Sequence, residues 1–327
     1  MQQNPVGRAT VTALGFGAAP IGNLYRSIDD ETAYAAIAAA WDGGVRYFDT
    51  APHYGLGLSE RRLGAALAGR PRSDYTISTK VGRLLVPNTA PTGSDLSSGG
   101  FAVPDDLTRV LDYTRDGVLR SLEASLTRLG TDRIDIVYVH DPDDHLDQAI
   151  NETIPALIEL RDQGVVGAVG AGMNFTAPLL RIVTETDVDV VMLAGRWTLA
   201  DRSGAPLLTA CAERGVAVVA AAPFNSGLLA SPHPADGAYF NYGPASPDVL
   251  GHARDLAAVC DRHGVELPHA AMQFPGRHPA VASVVAGMRT ATQAEGNVRW
   301  ATGGLPDELW AALESLDAGR PASLREA

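Results

Sequence analysis

Apolar residues in this chain follow two alternating rhythms. Short apolar runs occur at residues 11–17, 45–48, 75–80, 134–140, 165–171, 188–193, 216–222 and 281–286, and most are rich in valine, isoleucine and alanine. Such runs suit strands buried on both faces. Between them, apolar positions fall three or four apart, as on an amphipathic helix. Residues 114–129 are the clearest case, with Val118, Leu122, Leu126 and Leu129 on one face. Asp29 or Asp30 can cap a helix running to about Asp42, and Gly43-Gly44 closes it. Further helices are predicted at 59–68, 154–161, 177–184, 207–213, 248–263, 268–273, 292–300 and 307–316.

Eight strands, each followed by a helix, predict an α/β fold: a (β/α)8 TIM barrel with long βα loops. No shift in composition marks a second domain, so residues 1–327 are expected to form a single barrel domain. Two stretches, 82–113 and 229–247, are too long to be plain connectors and suit substrate-binding loops. Gly15-Phe-Gly17-Ala-Ala-Pro20-Ile-Gly22 invites comparison with a dinucleotide fingerprint, but Pro20 replaces its third glycine. It reads instead as a strand and a glycine-rich loop. The competing architecture, a doubly wound open sheet, would bind ligands in one crevice at its switch point.

Candidate chemistry sits at the ends of three consecutive predicted strands. The second ends at Phe48-Asp49 and breaks into Thr50-Ala-Pro-His53-Tyr54-Gly55. The third ends on Lys80, which is the only lysine among 26 basic residues. Arginine cannot be tuned, whereas lysine is a compact charge on a flexible stem. The fourth ends on His140. A tyrosine can pass a proton, but its reference pKa of about 10 calls for a nearby cation. Singly, Asp49 reads as a turn cap, Lys80 as a solvated strand end and His140 as a core histidine. Together, at matching positions of successive β-units, they read as a site.

Charge narrows the partners. The net charge of −12 argues against nucleic acid and against an anionic membrane surface. No apolar run reaches the length of a membrane span, and Met1-Gln-Gln-Asn-Pro5 does not resemble a signal peptide. Cys211 and Cys260 lie among apolar neighbours in predicted helices, which suits unpaired thiols in a reducing cytoplasm. His140 and His145 do not form a metal-binding spacing, so no metal is expected.

These motifs resemble the aldo-keto reductase superfamily along nearly the whole chain. The segment from Asp49 to Gly55 matches the family motif around its catalytic Asp and Tyr; Ser78-Thr-Lys80 and Val139-His140 match the strands carrying its Lys and His. The resemblance implies catalysis by Asp49, Tyr54, Lys80 and His140. It also implies a cofactor trough. Asn174 would hold the nicotinamide carboxamide, with Arg196 nearby, and Pro223, Phe224, Asn225, Ser226, Gly227 and Leu228 would follow the pyrophosphate. Gly287, Arg289, Thr290, Gln293 and Asn297 would grip the adenosine half. Ala18-Ala-Pro20-Ile-Gly-Asn-Leu24, His53-Tyr-Gly-Leu-Gly57 and Leu193-Ala-Gly-Arg196 are similar to the aldose 1-dehydrogenases of the L-fucose, D-threo-aldose and L-galactose group. A pyridoxal 4-dehydrogenase is a near neighbour.

The implied reaction is oxidation of a small-molecule cyclic hemiacetal to a lactone with NAD(P)+. NAD is expected over NADP, because Gly287 and Gln293 are uncharged where NADP-using relatives commonly carry a basic residue. Alternatives are oxidation of pyridoxal to its lactone, general aldehyde or ketone reduction, Schiff-base chemistry on Lys80, and a non-catalytic nucleotide-binding barrel. Three positions depart from the wider family. Met173 stands where many relatives have Ser, Gly195-Arg196 where many have Gln, and Ala221-Ala222 where many have a stacking Tyr.

Overall fold

The computed structural model describes residues 1–318. Eight parallel strands close a barrel: β1 (Leu14–Gly17), β2 (Tyr47–Asp49), β3 (Thr76–Val81), β4 (Ile136–His140), β5 (Ala168–Met173), β6 (Val190–Ala194), β7 (Ala217–Ala221) and β8 (Val281–Gly287). The principal helices are α1 (Asp30–Asp42), α2 (Leu58–Leu67), α3 (Arg115–Leu129), α4 (Ile154–Asp162), α5 (Thr176–Glu185), α6 (Ala205–Arg214), α7 (Pro247–Arg262), α8 (Leu267–Gln273), α9 (Ala291–Thr302) and α10 (Asp307–Ala318). The predicted caps of α1 hold: Asp29 accepts from the Thr32 amide at its start, and Gly43 ends it. Gly130 ends α3 at φ 63°.

Strand alternation positions the site. Successive side chains point to opposite faces of a strand. Phe48, Val137 and Val139 face outward and pack with Ile37, Leu63 and Val118 of the helices. Tyr47, Ile136, Tyr138, Val190, Met192 and Val285 fill the barrel interior. Continuing that alternation, Asp49 follows Tyr47, Lys80 follows Ser78, and His140 follows Tyr138 at the C-terminal mouth. The register pairs Asp49 with Ser78, Lys80 with Tyr138, and His140 with Gly172.

Two regions differ from the sequence-based expectation. The run at 11–17 is not one strand. A hairpin of Gln3–Val6 with Ala9–Thr12 precedes β1 and buries Val6 and Val11 against the barrel's inner cluster. Thr10 O accepts from Thr76 Oγ1 at 2.6 Å, which ties this hairpin to the start of β3. Continuous apolarity hid the break because both pieces bury their side chains.

The insertion at 82–113 is not structureless either. It opens and closes as an antiparallel hairpin, Arg83–Pro87 with Leu107–Leu111. Its tip is organised by carboxylates. Asp105 accepts from the Thr92 and Gly93 amides, and Asp95 takes two hydrogen bonds from Arg109 at 2.6 and 2.7 Å. Phe101 and Val103 are buried with Leu56 against the loop that carries Tyr54. Cys211 and Cys260 are buried free thiols, and no helix among the described residues is long and apolar enough to cross a membrane.

Candidate active site

Lys80 lies at the centre of the barrel mouth and is 2% exposed. Its Nζ donates to both oxygens of Asp49, at 2.9 and 2.8 Å, and to Thr50 O at 3.0 Å. Ser78 Oγ donates to Asp49 Oδ1 at 2.7 Å, and the Tyr47 hydroxyl lies 3.0 Å from Ser78 Oγ. A buried carboxylate therefore has an ammonium and a hydroxyl to satisfy it, as burial of charge requires. The ammonium sits 4.8 Å from the centre of the Tyr54 ring. His140 meets Tyr54 edge to face, with ring centroids 5.9 Å apart. The four predicted catalytic residues thus converge.

Glycines on two loops let Tyr54 arrive there. Gly55 adopts φ +61°, and a Cβ on it would lie 2.1 Å from Gly22 O. Gly22 in turn would clash with the Tyr54 carbonyl at 2.9 Å if it carried a Cβ. The glycine-rich loop after β1 is thus the surface on which the tyrosine loop rests.

Electrostatics assign the proton states. Burial pushes the Tyr54 phenol up to about 12; Lys80 pulls it down and Asp49 pushes it up, so the lysine offsets burial only in part. Lys80 itself is held above its ordinary pKa: burial opposes its charge, but Asp49 and Tyr54 outweigh burial. His140 lies well below the usual imidazole range because of burial and then the cations Lys80 and Arg83, so it is neutral. His53 is held down to about 2 by burial and by Arg109, Arg83 and Lys80. The Nδ1 atoms of His53 and His140 are both buried without a hydrogen-bond partner among the described residues.

The predicted cofactor residues line the opposite side of the mouth, mostly on loops. Asn174 follows β5 and is half-buried; its Nδ2 lies 3.5 Å from the Tyr242 hydroxyl, and its Oδ1 makes no hydrogen bond among the described residues. Arg196 reaches Asp201 at 3.2 Å and Asn241 at 2.6 Å. After β7 the chain turns through left-handed residues at Ala222, Asn225 and Ser226 (φ 56°, 45° and 56°), leaving Ser226 and Gly227 exposed.

Not every residue of that loop faces the trough. Asn225 is buried, accepting from Thr198 Oγ1 at 2.6 Å and donating to Gly195 O at 3.0 Å. It ties the loop to the end of β6. Pro223 and Leu228 are buried in the packing, and Phe224 stacks edge-on against Trp300 at 6.0 Å. Ala222 offers no ring for stacking.

At the far end, Thr290 caps α9, accepting from the Gln293 amide at 3.3 Å. Gln293 accepts from the Arg289 amide at 2.8 Å, and Asn297 is buried. Arg289 donates to Leu24 O at 2.6 Å, while its buried Nε has no partner among the described residues. The row fits a dinucleotide. It offers an amide with a free oxygen, a turn whose backbone is open to a ligand, and a guanidinium with an orphaned N–H.

Sequence reasoning missed several residues around the tyrosine. Arg83 donates to Asp141 at 2.9 Å, Arg109 donates to His53 O at 2.9 Å, and the Tyr113 hydroxyl lies 2.8 Å from His140 O. His53 and Asp141 had a signal, since each is adjacent to a predicted catalytic residue. Arg83, Arg109 and Tyr113 had none, because the hairpin and helix start that deliver them read as an insertion.

Comparison with known proteins gives the family. The profile described as the aldo/keto reductase family matches residues 13–318. D-threo-aldose 1-dehydrogenase of a Pseudomonas species is 47% identical over 307 residues, covering 93% of each chain. Pyridoxal 4-dehydrogenase of Microbacterium luteolum is 40% identical over 324 residues, covering 94% of each. L-galactose dehydrogenase of Arabidopsis thaliana is 31% identical over 316 residues, covering 94% of this chain and 90% of the relative. The solved holo structure of the aldo-keto reductase AKR11C1 from Bacillus halodurans superposes with a TM-score of 0.77 at 26% identity, covering 100% of both chains. Enzymes of this family use nicotinamide cofactors and act on small molecules. The chain belongs to the aldo/keto reductase family and is an oxidoreductase.

Proposed function

We propose that the enzyme oxidises the C1 hemiacetal of an aldose, of the L-fucose or D-threo-aldose type, to a lactone. The observation that carries the reaction type is the convergence of Tyr54, neutral His140 and the Asp49–Lys80 pair. The substrate class rests on the 47% identity to a D-threo-aldose 1-dehydrogenase. A nicotinamide cofactor held by Asn174, the 222–227 turn and the Arg289–Gln293 segment would supply the hydride acceptor. Tyr54 would take the proton from the anomeric hydroxyl. Lys80 would stabilise the phenolate, and Asp49 holds Lys80 in place. His140 would donate one hydrogen bond to the reacting oxygen. Arg196 would flank the nicotinamide side of the trough.

NAD+ is proposed as the preferred cofactor. Gly287 and Gln293 bring no charge to a 2′-phosphate, which usually needs a cation. Arg289 is committed to Leu24 O through one nitrogen. Schiff-base chemistry fits poorly, because a lysine whose pKa is raised and whose three N–H bonds are engaged is a weak nucleophile. A second reading, pyridoxal oxidation, is favoured by the 40% relative. The test is a panel of L-fucose, D-arabinose, L-galactose and pyridoxal with NAD+, followed by absorbance of the reduced nicotinamide. Aldose turnover well above pyridoxal supports the proposal; pyridoxal turnover alone replaces it with the second reading.

A further inference from the structure

Asp141 follows the strand-ending His140, and its backbone lies in the left-handed region at φ +42°. That conformation is costly for a residue with a side chain and persists only when its surroundings impose it. Here it is held from three sides. Its amide donates to Gly172 O at 3.1 Å, its carbonyl lies 2.9 Å from the Tyr113 hydroxyl, and its Oδ2 accepts from Arg83 at 2.9 Å. The result is a carboxylate at the mouth of the barrel, with Oδ2 3.6 Å from His140 Nε2. That separation is too long for a hydrogen bond, so Asp141 does not fix the imidazole. An ion-pair tether for the Arg83–Pro87 strand would explain Oδ2 alone. It does not explain Oδ1, which makes no hydrogen bond among the described residues, on a side chain left 28% exposed. Arg83 Nε is also buried without a partner among the described residues.

We propose that Asp141, anchored by Arg83, is a specificity-determining residue that accepts a hydrogen bond from a ring hydroxyl of the substrate near the reacting carbon. The proposal rests on the aldose reading above. A carboxylate with one oxygen anchored and the other free suits a neutral O–H donor. A substrate lacking that hydroxyl leaves the acceptor desolvated and unpaired, and a site built for a hydroxyl discriminates strongly against its absence.

The test compares kcat/KM for L-fucose and for analogues lacking one ring hydroxyl at a time, in the wild type, Asp141→Gly and Asp141→Asn. Glycine suits the left-handed backbone, and asparagine tolerates it, so neither adds strain. The wild type is expected to disfavour one deoxy analogue by about 10- to 100-fold, the range of a hydrogen bond to a charged group. Asp141→Gly is expected to abolish most of that preference, acting mainly through KM. Asp141→Asn should fall between them. Far-UV circular dichroism and cofactor affinity, both expected to match the wild type, check that the variants fold. Equal losses toward every sugar in the variants, or an undiminished preference, would overturn the role of Asp141 and leave the aldose reading standing. Wild-type turnover of pyridoxal with none of any aldose would overturn both, beginning with the aldose reading.

Discussion

The two sides of the barrel mouth are built differently. On one side, Asp49, Lys80 and His140 project, buried, from the last inward positions of adjacent strands, and Lys80 is cross-linked to Asp49. On the other, Asn174, Arg196, Ser226 and Arg289 stand on loops, partly exposed, with left-handed backbone in the 222–226 turn. The tip of the 229–247 stretch leans on that second side. Asn241 bonds Arg196, the Tyr242 hydroxyl lies beside Asn174, and the Tyr242 amide donates to Ser226 Oγ at 3.0 Å. Proton transfer needs groups held to a fraction of an ångström, which strands and a packed interior provide. A large cofactor that enters and leaves needs partners whose contacts can be exchanged, which loops provide.

Substitutions on the strand side should therefore cost most. Tyr54→Phe is expected to lose about 10²–10⁴-fold in kcat, roughly 3–5 kcal/mol, while cofactor binding measured by fluorescence titration is retained. Near-wild-type turnover would remove Tyr54 from the chemistry. Asp49→Ala leaves the buried ammonium of Lys80 without its carboxylate. It should lower unfolding stability by about 3–5 kcal/mol in denaturant titration, with activity lost as well. Unchanged stability would mean the pair is solvated. Lys80→Arg should not rescue function, because a planar guanidinium cannot occupy the ammonium's place between Asp49 and Thr50 O. Wild-type kcat in that variant would show that only charge matters there.

Effects on the loop side should be smaller and fall on cofactor parameters. Asn174→Ala is expected to raise KM for NAD+ about tenfold with little change in kcat, the scale of one net hydrogen bond. A collapse of kcat instead would make Asn174 part of the rigid chemistry. Arg289→Ala should raise KM for NAD+ by up to about tenfold with little change in kcat, the scale of one net hydrogen bond. A wild-type preference for NADP+ that vanished in this variant would make Arg289 the phosphate partner and overturn the proposed preference.

The same contrast explains what the sequence revealed. Asp49, Lys80 and His140 end apolar runs, so strand periodicity alone placed them at one mouth, and Tyr54 followed from the proline and glycine around it. The trough was legible as a set of segments but not as side-chain directions. Asn225 turns inward to Thr198 and Gly195 because two consecutive left-handed residues reverse the chain there. No local propensity announces that. Asp141 was visible beside His140, yet its orientation depends on Tyr113, Gly172 and Arg83, all distant in sequence. The N-terminal hairpin was hidden because buried apolar residues run on from it into β1 with no turn composition between them.

The central claim is that Tyr54, and not a histidine, takes the proton. Tyr54 is pushed up to about 12 by burial against the pull of Lys80, whereas His140 and His53 are both held below the range in which they would titrate near neutrality. The direct measurement is kcat/KM for aldose oxidation against pH at saturating NAD+. The account predicts a rate that climbs from pH 7 to at least 9, about tenfold per unit while the phenol stays protonated. A profile that rises through pH 6–7 and is flat above it would put the proton on an imidazole and contradict the account.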